Sequence, residues 1–133
     1  MSLLVDQLAA YLESRDEGTV GTDIFKVHRP GSPVACVSLH PTGGYPPDRY
    51  TERERPTLML FGRAATPDAA LHKAYAIYRQ LHGAQNLDLG DGLWALTIEA
   101  VASPAYAGTE QLTDQTAHLA SFNIAVDLRR AQS

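Results

Sequence analysis

The sequence predicts an α+β fold in which a mostly antiparallel sheet of about five strands carries two helices packed on one face. Two observations give the elements: two stretches repeat their apolar residues at helical spacing, while several others alternate with a period of two. A third gives their arrangement. The order runs helix, strands, helix, strands, without the strict alternation that builds a parallel, doubly wound sheet. At 133 residues the chain has the length of one domain, spanning 1–133, and folding at that size buries roughly two-thirds of the extended chain's surface.

The first helix is expected from Leu3 to Arg15, with Leu4, Val5, Leu8, Tyr11 and Leu12 on one stripe, Ser2 as its cap and Gly18 just beyond its end. A short strand follows from Asp23 to His28, with Phe25 and Val27 opposite Lys26 and His28, and Pro30 closes it. Val34 to His40 reads as a second strand, with Ala35, Val37 and Leu39 opposite Val34, Cys36, Ser38 and His40. Pro41 to Pro56 loses all periodicity to its prolines and glycines and reads as a long loop.

Thr57 to Ala64 is apolar on both faces, because Leu58 and Leu60 alternate with Met59 and Phe61, which places it centrally in the sheet. Thr66 before Pro67 starts the second helix, which runs to His82 on a stripe of Ala70, Leu71, Ala74, Ile77, Tyr78 and Leu81, with Gly83 as its left-handed cap. Asn86 to Gly92 reads as a turn. Leu93 to Ala102 is a strand with Trp94, Leu96 and Ile98 on one face. Ser103 to His118 is too polar and too interrupted by Pro104 and Gly108 for core, and reads as an irregular connection. Leu119 to Leu128 closes the chain with Phe122, Ile124, Val126 and Leu128 facing inward.

The charge balance excludes several function classes. A net charge of −4 argues against a free-standing nucleic-acid binder, which would present a basic patch to release phosphate counterions. The start of the chain lacks the basic residues of a secretory signal, and no apolar run reaches the roughly 20 residues needed to span a bilayer, so a cytoplasmic chain without membrane contact is expected. Cys36 is the only cysteine, which rules out an intramolecular disulfide and leaves a small buried thiol as its reading.

Candidate chemistry is sparse. His28, His40, His72, His82 and His118 show no ligand-like spacing, and Cys36 and His40 lie about 13 Å apart along an extended strand, too far to grip one ion. Cys36 has no basic neighbour of the kind a nucleophile needs. Glu99, Asp114 and Asp127 are not forced into a carboxylate pair, and the glycine pairs at 18/21 and 43/44 match neither a phosphate loop nor a dinucleotide fingerprint. Tyr75 and Tyr78 on the second helix read as packing. The sequence therefore implies no catalytic residue, no metal and no cofactor.

The 41–55 segment remains. It exceeds the usual limit of about 12 to 15 residues for structureless connections. It carries Asp48, Glu52 and Glu54 against Arg49, Arg53 and Arg55, together with Tyr45 and Tyr50. Balanced charge with tyrosine and arginine suits a protein contact. Tyr45, Asp48, Arg49, Tyr50, Glu52, Arg53, Glu54 and Arg55 are the expected subunit-interface residues.

Taken together, YLESR at the end of the first helix, GTDIFKVHRPGSPVACVSLHPTGG, DRY with ERPTLMLFGRA, IYRQLHG, WALTIEAVASP and SFNIAVDLRR make the chain resemble, over nearly its full length, the tail terminator (minor capsid protein) family of long-tailed bacteriophages. PTGG and SFNI are the most particular of these. The resemblance implies a tail-terminator-like α+β domain and a non-catalytic structural role. Subunits would form a hexameric ring at the head-proximal end of the tail tube, stop tube polymerisation and join tail to head in the virion. Assembly would take place in the bacterial host cytoplasm. The implied partners are further copies of the chain, the tail-tube protein and a head-completion or connector protein, and genomic DNA would pass through the ring without specific binding. A head–tail connector or tail-completion protein of similar fold is the neighbouring reading. A small ligand-binding domain or enzyme, with His40, Asp23 or Glu99 as polar anchors, is the reading from a different class.

Overall fold

The computed structural model describes residues 3–45, 53–90 and 92–130. Two helices and seven strands follow in the order α1 (Leu4–Ser14), β1 (Ile24–Lys26), β2 (Cys36–Tyr45), β3 (Arg53–Ala64), α2 (Pro67–Leu81), β4 (Gln85–Gly90), β5 (Leu93–Ala100), β6 (Ala105–Gln111) and β7 (Thr116–Arg130). The α+β class and the mostly antiparallel pairing match expectation, and the sheet has seven strands where about five are predicted.

The strands run in the order β1-β2-β3-β7-β5-β4, all neighbours being antiparallel except β1 with β2. β7 is long enough to serve two partners along one edge. Its first half pairs with β6 and its second half with β5, while β3 lines the other edge throughout. The sheet curls, since α1 touches β1 and β2 near one end of the order and β4 at the other.

One face of the sheet carries both helices. Val37, Leu39, Leu58, Leu60, Phe122, Ile124, Val126 and Leu128 pack there with Leu8 and Leu12 of α1 and Ala70, Ala74, Ile77 and Leu81 of α2. Fully burying each large member of this set contributes roughly 1.5–3 kcal/mol. α2 sits close because β3 has no side chain at Gly62, where an added Cβ would meet the Ala74 nitrogen at 2.8 Å and the Ala70 carbonyl oxygen at 2.9 Å.

α2 begins as expected, with the Thr66 hydroxyl accepting the Ala69 N–H at 3.1 Å and Pro67 in the first turn. α1 takes Leu3 as its N-cap with no side-chain bond there, and Ser2 lies outside the described residues.

Four expectations are corrected. The long loop from 41 to 56 is in large part the continuation of β2 and β3, because glycine and proline at 41–44 make a bulge in the ladder instead of ending it. Gln85–Gly90 and Ala105–Gln111 are strands where a turn and an irregular connection are predicted, since lateral strands facing solvent need no apolar alternation. Trp94 is not on the inner face with Ile98: a register shift between Ala95 and Thr97 turns Leu93 and Ala95 inward before it and Ile98 inward after it, leaving Trp94 41% exposed. Cys36 is buried as expected, and Ser38 is buried with it, so β2 is covered on both faces from 36 to 39.

Candidate assembly surface

The β2–β3 hairpin extends past the core to Gly44 opposite Pro56 and Tyr45 opposite Arg55. Gly43 is in the left-handed region at φ 94°, where a side chain is disfavoured, and the ladder gains one residue between Pro41 and Gly44. Below it the Thr42 and Thr57 hydroxyls hydrogen-bond across the strands at 2.7 Å. PTGG is thus a bulge that shapes the hairpin.

Of the expected interface residues, Tyr45 ends β2, Arg53 opens β3, and Glu54 and Arg55 follow in β3 opposite Leu128 of β7 and Tyr45 of β2 respectively. Asp48, Arg49, Tyr50 and Glu52 lie outside the described residues. The Arg55 guanidinium reaches Glu99 on β5 at 4.0 Å across the sheet, and both side chains are exposed enough for solvent to screen the pair.

Arg55 and Glu99 belong to a second feature, the sheet face turned away from the helices. Over β3, β7 and β5 this face presents Thr57, Arg55, Ala125, Asp127, Arg129, Thr97, Glu99 and Trp94, by register and burial. Trp94 stands opposite Arg129, and with Leu96 and Asn86 they line a shallow groove of about 420 Å³. A half-exposed tryptophan beside arginine is the composition of an interface centre.

The same face is covered higher up. Between β1 and β2 the chain crosses as a strap, residues 27–35, held by Arg63 of β3. Arg63 is fully buried. Its guanidinium donates to the carbonyls of Pro30 at 2.6 Å, Pro33 at 2.9 Å and Val34 at 3.0 Å, and forms an ion pair with Glu110 of β6. Glu110 also receives Arg29 of the strap at 2.8 Å.

Arg29 lies with its guanidinium carbon 4.4 Å from the centre of the Phe61 ring and extends an N–H toward Ser38 Oγ at 3.4 Å. Burial pulls the Glu110 carboxyl upward, but hydrogen bonds and charge from Arg29 and Arg63 outweigh it and hold the group below its usual range. Burial pushes the neighbouring Cys36 thiol up, against the opposing pull of the two arginines.

The polar anchors proposed for a pocket do not converge. His40 belongs to the strap cluster, Asp23 accepts the Thr19 N–H at 2.6 Å in a local turn, and Glu99 lies on the open face. Among the described residues no three of His, Cys, Asp and Glu gather where a metal ion could sit. Tyr78 packs against the core and meets Phe122 edge-on at 5.7 Å, as a packing residue should.

Sequence reasoning overlooked Arg63 and Trp94. Arg63 had a signal: a charge next to the apolar run of a central strand must be buried and therefore partnered. Trp94 had none, because the bulge that turns it outward leaves an ordinary alternating pattern.

These features define the class: a small α+β domain with an extended hairpin and an aromatic, charge-balanced open sheet face. The chain belongs to the bacteriophage tail terminator protein family, whose family model matches residues 11–130. It is accordingly a structural protein of a phage tail and a component of the virion. No curated protein matches the chain.

Proposed function

We propose that this chain is the subunit of a hexameric ring that caps the head-proximal end of the tail tube, stops its polymerisation and joins it to the head-completion protein. The observation that carries the reading is the membership of the family over residues 11–130. The hairpin end and the open face beside it support it, because a ring requires two different surfaces on each subunit. We assign Tyr45, Asp48, Arg49, Tyr50, Glu52, Arg53, Glu54 and Arg55 to the subunit contact, extended across the sheet by Trp94 and Arg129.

Six copies at −4 each carry −24, and an acidic ring repels DNA and lets it pass without specific binding. The test is to polymerise the cognate tube protein with and without this chain and image the products by negative stain. Tubes that stop growing and carry a ring at one end are expected. Uncapped tubes of unchanged length, with no association in sedimentation, would overturn the reading.

A further inference from the structure

The start of the strap is held in an unusual way. Val27, a β-branched residue, sits at φ 75°, in the left-handed region that such residues avoid. Its N–H donates to the Leu39 carbonyl at 2.8 Å, and its own carbonyl lies 2.8 Å from His40 Nδ1. On the other side of the ring, His40 Nε2 lies 3.3 Å from Arg29 Nη1, and the ring meets Phe61 edge-on.

A guanidinium only donates, so Nε2 must accept, and a carbonyl only accepts, so Nδ1 must carry the proton. Both contacts are therefore satisfied by a single form of histidine, the neutral ring protonated at Nδ1. We propose that the 27–35 strap is a latch closed by neutral His40 and released when the ring takes a second proton.

That proton falls on Nε2. It removes one acceptor of Arg29 and sets two cations face to face, leaving the strap's arginine its contacts with Ser38, Phe61 and Glu110. The groups around His40 are His28 and Arg29 on the strap, Glu110 on β6 and Phe61 on β3. Of these side chains Glu110 opposes the change, and its carboxylate is already shared by two guanidinium groups. Burial, then Arg29, lowers the ring's basicity, against the Val27 carbonyl, which raises it.

The sign follows. A histidine whose basicity is lowered in the closed state loses closure as pH falls from about 6.5, the ordinary value, toward the lower closed-state value. Release would relax Val27 and uncover the outer side of β2, where Cys36 and Ser38 lie fully buried. The inference is independent of the ring.

Cys36 reports on it. The folded chain is treated with 4,4′-dithiodipyridine between pH 7.5 and 5, and each rate is divided by that of the urea-unfolded chain at the same pH. The ratio should rise as pH falls, by roughly tenfold for each pKa unit by which closure lowers the ring. In His40→Gln, whose amide can donate to Val27 and accept from Arg29 without titrating, the ratio should stay flat. A flat wild type, or a parallel rise in the variant, overturns the proposal. Should His40→Gln fail to fold, ¹⁵N spectra of the wild-type ring decide. The Nδ1–H tautomer at neutral pH, with Val27 amide exchange accelerating as the ring titrates, supports the latch. The other tautomer, or exchange indifferent to the titration, sinks it.

Discussion

Arg63 occupies a costly position, a full positive charge with no exposed side-chain surface. It is tolerated because each direction of its fork meets an acceptor, three strap carbonyls and one carboxylate. Arg63→Met removes the charge, takes this donor from the three strap carbonyls and leaves Glu110 to Arg29, so stability should fall by about 3 kcal/mol or more, measured by urea unfolding. Arg63→Lys should recover only part, since an ammonium lacks the planar fork that serves four acceptors. Gly62 is constrained by space: Gly62→Ala pushes a methyl into the backbone of α2 and should cost roughly 1–3 kcal/mol, with β3 and α2 forced apart. A loss below about 0.5 kcal/mol would show that α2 shifts freely over the sheet.

At the scale of elements, the strands and helices that alternate cleanly are those that bury one face, and these were legible in the sequence. α2 is readable because cap, proline, apolar stripe and terminal glycine agree, and β7 because Phe122, Ile124, Val126 and Leu128 all face the core. β4 and β6 were not, because each pairs with one neighbour only and is held by backbone ladders that leave no trace in side-chain polarity. The hairpin hid for another reason. Its PTGG segment has the composition of a turn yet lies inside a ladder as a bulge, so pairing runs on to Gly44 opposite Pro56 and Tyr45 opposite Arg55. The expected contact residues of 45–55 rest on composition, whereas Trp94 and Arg129 enter the candidate surface only through register. Replacing 46–52 with a short glycine-rich turn should leave stability within about 0.5 kcal/mol, because the core strands keep their pairing, while abolishing association with tube protein in sedimentation. Normal association by the shortened chain would remove the hairpin tip from the proposed contact.

For the molecule as a whole, the question is which surface assembly uses, and the two sheet faces answer differently. The helix-bearing face is filled by the core. The opposite face is closed above by the strap and open below, where Arg55 and Arg129 stand with Glu99 and Asp127 around Trp94. Equal charge of both signs gives little long-range attraction, so affinity there must come from burying the indole and desolvating its neighbours. If the proposed ring uses this face, Trp94→Ala should weaken association by at least about 30-fold, an interface loss of about 2 kcal/mol, as read from sedimentation of concentrated protein with tube protein. Its effect on unfolding should be small, since the side chain is 41% exposed before assembly. Salt separates this mechanism from its rival: apolar burial predicts association that changes little with ionic strength, whereas a contact dominated by Arg55, Arg129 and their acidic partners would weaken steadily as salt screens them. Unchanged association of Trp94→Ala combined with strong salt sensitivity would move the contact from the tryptophan to the charges around it.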